Sequence, residues 1–201
     1  MTDWISETLY SNGTLKNKLH IHDAKKLEST EYLQTAIKSV ILLDHKPKIS
    51  SIKDLSKIHK YMFSDLYDWA GKYRNGNFQK NGYTFFDYHR FNFAEEDINA
   101  LLHKLSKKDI LSTYDYAQIL DKVNYMHPFR EGNGRSAKIF LSCIAGNHAQ
   151  VIDYPRDNTD MIKAQNNADL NGIARLIRVQ NAPNRDVAFK LMKELQRNKK
   201  K

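Results

Sequence analysis

A chain of 201 residues, 41% hydrophobic and 27% charged, has room for one well-buried core, and no run of about 18 apolar residues of the kind a membrane span needs occurs in it. The single cysteine, Cys143, excludes an internal disulfide framework and fits a reducing, cytoplasmic setting, and the start Met1-Thr-Asp-Trp-Ile-Ser-Glu7 lacks the basic-then-apolar pattern of a secretory signal. A net charge of +9 invites a nucleic-acid reading, but no helix-turn-helix or zinc-finger pattern accompanies it, and the same field suits an enzyme that binds a polyphosphate.

Helical periodicity dominates the chain. Asp23 caps a first long helix whose apolar stripe reads Leu27, Leu33, Ile37, Val40 and Ile41. Ser51-Ile-Lys-Asp54 reads as a capping box ahead of Leu55, Ile58, Met62 and Phe63. The segment Asn77-Phe-Gln-Lys-Asn-Gly-Tyr-Thr-Phe-Phe86 breaks the pattern: two β-prone arms flank Asn81-Gly82, a strong hairpin signal. A lone hairpin is not stable alone, so it must lean on helices or receive something.

Beyond it, Ala94, Ile98, Leu101, Leu102 and Leu105 form another stripe, and Ser112-Thr-Tyr-Asp115 is a second capping box ahead of Ile119, Leu120 and Val123. Residues 136 to about 146 read as a nearly all-apolar, buried helix that includes Cys143 as a small core residue. Helices over 161–168, 170–179 and 187–195 complete the set, with Asn158 and Asn184 as caps. These readings predict an all-α domain carrying one β-hairpin. The chain reads as a single domain over 1–201, with an N-terminal helical extension (1–45), a core (46–180), and a C-terminal helix with a basic tail (181–201).

Chemistry concentrates between two of these helices, in His127-Pro-Phe-Arg-Glu-Gly-Asn-Gly-Arg135. Pro128 discourages helical backbone at His127. Gly132 and Gly134 permit positive backbone angles and close approach of a ligand to main-chain N–H groups. The helix that follows aims its N-terminus, with free donors and partial positive charge, into the turn, which makes an anion site suited to phosphates. Arg135 adds a guanidinium fork. Glu131 is out of place beside phosphate unless Mg²⁺ lies between them, a cation commonly held by one or two carboxylates plus substrate phosphates. His127 is the nearby group able to accept a proton near neutral pH. A base, a metal carboxylate, an anion hole and an arginine describe attack of a hydroxyl on a phosphate.

The stretch resembles the signature of the Fic family, His-x-Phe-x-(Asp/Glu)-Gly-Asn-Gly-Arg-x-x-Arg, at every position but the last, where this chain has Lys138. Phe63-Ser-Asp-Leu-Tyr-Asp-Trp-Ala-Gly-Lys-Tyr-Arg74 looks like the Tyr-x-Trp-Ala-Gly-x-x-Arg segment that precedes the family's flap, and Gly13-Thr-Leu-Lys-Asn-Lys-Leu19 looks like the opening of its small, toxin-like bacterial members. The resemblance implies an all-α Fic fold with the hairpin as flap, and a protein adenylyltransferase: AMP passes from ATP to a Tyr, Thr or Ser hydroxyl of a target, with release of pyrophosphate. By the same resemblance His127 is the base and Glu131 the Mg²⁺ ligand. Gly132, Asn133, Gly134, Arg135 and Lys138 hold the phosphates, and Lys80, Asn81, Gly82, Tyr83, Thr84 and Phe85 clamp a target segment by strand addition.

Lys138 keeps the charge of the family's second arginine but not its bidentate fork, which implies altered handling of the γ-phosphate. Relatives that transfer other groups tend to depart inside Gly-Asn-Gly-Arg, which is intact here. The alternatives are a nucleotide-holding module without turnover, against which His127 argues, and a phosphotransferase variant. No Ser or Thr has Glu four residues on, so the family's inhibitory motif, (Ser/Thr)-x-x-x-Glu-(Gly/Asn), is absent; a separate antitoxin-like protein is the expected restraint. By analogy the target is a bacterial topoisomerase or the protein itself, and an oligomer is open to it.

Overall fold

The computed structural model describes residues 4–80 and 82–198. Asn81 of the hairpin turn, the side chain of Lys80 and the tail lysines at 199–201 lie outside the described residues. The helices are α1 (Trp4–Glu7), α2 (Ala24–Asp44), α3 (Lys53–Phe63), α4 (Phe91–Leu105), α5 (Thr113–Met126), α6 (Asn133–Asn147), α7 (Thr159–Asn166), α8 (Leu170–Leu176) and α9 (Arg185–Asn198). A short 3₁₀ turn at Tyr88–Arg90 leads into α4. The strands are β1 (Gln79–Lys80) with β2 (Tyr83–Thr84), and β3 (Gln150–Asp153) with β4 (Arg178–Asn181), both pairs antiparallel. Among the described residues no helix is long and apolar enough to cross a membrane.

The predicted all-α architecture with one hairpin holds, and α6 is its axis. Its residues from Ser136 to Gly146 are buried apart from Lys138, and it packs against α3, α5, α9 and β3. Cys143 lies fully buried in it, where desolvation pushes its thiol up to about 12. The Ser112–Asp115 capping box forms in full and fixes the start of α5, while Asn158 and Asn184 accept first-turn amides of α7 and α9.

Three local expectations need correction. Ser51 does not cap α3. Ile52 occupies the cap position without a side-chain bond, and Asp54 instead accepts the amides of Ser50 and Ser51 at 2.8 and 3.1 Å. The helix expected over 170–179 stops at Leu176, because the chain leaves as β4 to pair with β3 in the register Val151↔Gln180 and Ile152↔Val179.

The third correction concerns α2. Its buried face is Leu27, Glu31, Thr35, Ser39 and Leu43, and the predicted stripe residues Leu33, Ile37 and Ile41 are exposed. Small polar side chains pack inward because they satisfy themselves. The Thr35 hydroxyl donates to Glu31 O at 2.7 Å, and Ser39 to Thr35 O at 2.6 Å. That leaves Glu31 as the one acidic side chain on the buried face, aimed towards Arg135 of α6.

Candidate functional site

A cavity of about 680 Å³ opens between α2, the hairpin, the C-terminal end of α5, the N-terminal end of α6 and the segment after β3. Its walls include His127, Glu131, Gly132, Asn133, Gly134 and Arg135, so one cavity gathers the motif.

α5 ends at His127, which adopts left-handed backbone (φ 43°, ψ 60°) while its amide still donates to Val123 O. Pro128 forbids continuation of the helix, and the unusual backbone turns the imidazole into the cavity mouth. The ring packs on aromatics of the hairpin: Phe85 stacks on it at a centroid distance of 3.7 Å, and Phe78 lies 5.7 Å from both rings. The flap thus leans on the histidine, which answers how so short a hairpin persists. Phe85 is buried in this contact, whereas Thr84 is exposed and Tyr83 half-buried at the cavity rim. Gly82 takes the positive φ (79°) that the turn needs.

Arg74 anchors this end of the site, a role the sequence reading did not give it. Its guanidinium is buried and donates to four main-chain carbonyls: His127 at 2.9 Å, Met126 at 3.3 Å, Gly76 at 2.5 Å, and Phe86. Its own amide donates to Pro128 O at 2.7 Å. One side chain therefore ties the backbone of His127 to both legs of the hairpin. Burial lowers its pKa to about 10, which leaves it charged at neutral pH.

The loop closes on itself through Asn133. Its side chain accepts from Phe129 N at 2.9 Å and donates to Phe129 O at 2.8 Å. The Asn133 carboxamide is thus spent on the loop, and only its backbone amide faces the anion site. Gly132 has φ 80°, and a Cβ there would lie 2.4 Å from the Phe63 ring, so glycine is required twice over. Gly134, contrary to expectation, is ordinary helix. It sits exposed in the first turn, where a side chain would meet Arg156 at 3.3 Å. The amides of residues 133–135 occupy that first turn, where a helix offers no carbonyl partner.

Beneath the loop lies His59, fully buried between Phe129 (3.8 Å) and Phe63 (4.6 Å). It accepts Gly71 N on Nδ1 at 2.8 Å, which leaves Nε2 to donate to Glu131 O at 2.9 Å. Burial depresses its pKa to about 4. His59 is a neutral bridge that fixes the Glu131 backbone. The Glu131 carboxylate remains partly exposed; it accepts Gly132 N at 2.9 Å and lies 3.4 Å from Arg135.

Arg135 lies over the Phe63 ring and forms an ion pair with Glu31 of α2. The other oxygen of Glu31 accepts the Tyr67 hydroxyl. Sequence reasoning missed this residue because it lies nearly a hundred residues before the motif. The available signal was the polar series Glu31, Thr35 and Ser39 at helical spacing. Lys138 departs from expectation: it is not in the cavity wall. Its ammonium donates to Tyr154 O at 2.6 Å and Asp153 at 3.1 Å, while Arg156 lines the cavity beside Gly134.

Among the described residues no cluster of three or more His, Cys, Asp or Glu could hold a metal ion by itself. One partly open carboxylate beside an anion site matches the donor set of Mg²⁺, which takes much of its shell from phosphates and water.

Comparison with known proteins agrees with this geometry. The family model described as Fic/DOC family matches residues 49–145. The chain is 27% identical over 138 residues to the probable protein adenylyltransferase Fic of Escherichia coli K12, covering 65% of this chain and 67% of that protein. It is 32% identical over 160 residues to the protein adenylyltransferase VbhT of Bartonella schoenbuchensis, covering 76% of this chain but 33% of that longer protein. Its fold matches the Fic domain of a VirB-translocated effector of Bartonella quintana with bound ADP (TM-score 0.78, 19% identity, 92% of this chain and 98% of that one). It also matches the effector BepC of Bartonella tribocorum with bound AMPPNP (TM-score 0.74, 21% identity, 88% and 98%). With the motif, the flap and these likenesses together, the chain belongs to the Fic/DOC family.

Proposed function

We propose that this protein is a protein adenylyltransferase, transferring AMP from ATP to a Tyr, Thr or Ser hydroxyl of a target protein. The observation that supports it most is the shared cavity. His127 stands at the mouth under the flap, and the first turn of α6 with Arg135 stands within. In this reading the amides at the start of α6 and the Arg135 guanidinium bind the nucleotide phosphates. His127 takes the proton of the target hydroxyl as its oxygen bonds to the α-phosphorus, the bond to the β-phosphate oxygen breaks, and pyrophosphate leaves. Glu131 would hold Mg²⁺ against the phosphates, which draws off charge as the leaving group departs.

The target segment lies along the exposed part of the hairpin at residues 82–84. Main-chain pairing there orders a flexible chain beside His127 without demanding one sequence. A bacterial protein such as a topoisomerase is the target by analogy, a separate antitoxin-like protein the restraint, and the cytoplasm the setting. Incubation with α-labelled ATP, Mg²⁺ and a bacterial lysate tests the reading. Label on protein that vanishes in His127→Ala is expected. Transfer from γ-labelled but not α-labelled ATP would replace it with a phosphotransferase.

A further inference from the structure

Glu31 lies on α2, outside the residues 49–145 that match the family model, yet it touches the site. It is only 6% exposed, and each carboxylate oxygen has one partner: the Arg135 Nη2 on one side, the Tyr67 hydroxyl on the other. Burial and the neighbouring carboxylate hold the Tyr67 hydroxyl well above its ordinary pKa, so it remains a donor. Arg135 meets both carboxylates, Glu31 and Glu131, through the same nitrogen. Its Nε and Nη1 make no hydrogen bond to any described residue.

Two readings of a carboxylate on this arginine differ in their geometry. A competitor of phosphate would cover the face of the guanidinium that phosphate needs, and would sit where it could withdraw. Glu31 does neither. It takes one edge of the fork and leaves the other open. It also comes from the buried face of a 21-residue helix, between Leu27 and Thr35. Withdrawal would strand a charge that has lost its partner inside the protein, which is strongly unfavourable. An arginine gripped along one edge has few rotamers left, and its remaining donors are aimed before a ligand arrives.

We propose that Glu31 is a positioning residue: with Tyr67 it fixes Arg135 so that its free donors face the nucleotide phosphates, making the N-terminal helix part of the active site. The proposal rests on the nucleotide-transfer reading of this cavity. The test is a double-mutant cycle of ATP-analogue binding, by calorimetry on the full chain, with wild type, Glu31→Gln, Arg135→Ala and the double variant. Because a close, largely buried ion pair contributes on the order of a tenfold change in affinity, Glu31→Gln is expected to weaken binding roughly tenfold. In the Arg135→Ala background the same change is expected to cost almost nothing, because no guanidinium is left to orient. Equal cost in both backgrounds overturns the proposal, since that marks general damage to the fold. Tighter binding or faster AMP transfer by Glu31→Gln also overturns it, since that marks a brake. Should Glu31→Gln melt below the assay temperature, Glu31→Asp keeps the charge on a shorter arm. It is then expected to bind between wild type and Arg135→Ala, and wild-type affinity in that variant counts against the proposal. AMP transfer by the wild type is followed alongside. Its absence would remove the adenylyltransferase reading while the binding cycle still decides what Glu31 does.

Discussion

At the His127 end of the loop between α5 and α6, Arg74 grips four main-chain carbonyls and two phenylalanines pack against the ring. At the Arg135 end, the contacts are charge on charge, with Glu31 and Glu131 about one guanidinium. Backbone carbonyls and aromatic faces do not compete with a nucleotide, so no contact at the first end has to be given up to a phosphate. The partly exposed Glu131 carboxylate does compete for charge, so the second end can trade that contact for phosphate while the buried Glu31 keeps its hold on the arginine. The proton-handling half is built for fixed geometry and the anion-handling half for exchange. Substitutions that disturb each half in turn test that contrast.

The largest effect belongs to His127→Ala. Loss of a positioned base is expected to slow AMP transfer by at least about a hundredfold while nucleotide binding stays within a fewfold of wild type. A parallel loss of binding would show that the two ends are not separable. Next comes Arg74→Met, which leaves four carbonyls, two of them in buried hydrogen bonds, without this donor. Denaturant unfolding should register a loss of roughly 3 kcal/mol or more. Wild-type stability in that variant would mean that the hairpin and His127 are held by packing alone.

Acid should act on the bridge under the loop. The folded pKa of His59, about 4, lies below its ordinary value near 6.5, so the neutral ring is the form that folding favours. Its contribution is fully present above pH 6.5 and is lost as pH falls towards 4, by roughly 3 kcal/mol at most. Melting temperature followed from pH 7 to 4 should fall more steeply for wild type than for His59→Gln. Gly132→Ala combines a left-handed backbone with a clash on Phe63, and should cost about 2 kcal/mol. The smallest change is Lys138→Arg. Because Lys138 is tied to Asp153 and the Tyr154 carbonyl, ATP affinity should shift by less than about threefold. A gain of tenfold would show that position 138 reaches the phosphates after all.

Much of this is legible in the amino-acid sequence, for physical reasons that differ by region. The Ser112–Asp115 box, the Asn158 cap and the apolar run of α6 are local signals, and each formed where the spacing placed it. The motif loop was legible because its glycine, proline and charges constrain one another within nine residues. α2 was misread because its inward face is closed by hydroxyls bonding their own helix, which hydrophobic periodicity cannot register. The start of β4, Arg178 and Val179, reads as helix because its partner β3 lies nearly thirty residues away. Arg74, His59 and Glu31 share that cause. Each acts on a loop distant in sequence, and only the folded chain brings them together.

The burial of Cys143 has a practical consequence for watching the flap. The sequence has one cysteine, and that thiol is wholly enclosed in α6 with its pKa pushed up to about 12, so it is scarcely nucleophilic in neutral solution. The native surface is therefore silent to thiol-directed dyes and spin labels. A Thr84→Cys substitution, on the exposed tip of β2, would be the one reporter that such a reagent finds, and no background cysteine need be removed first.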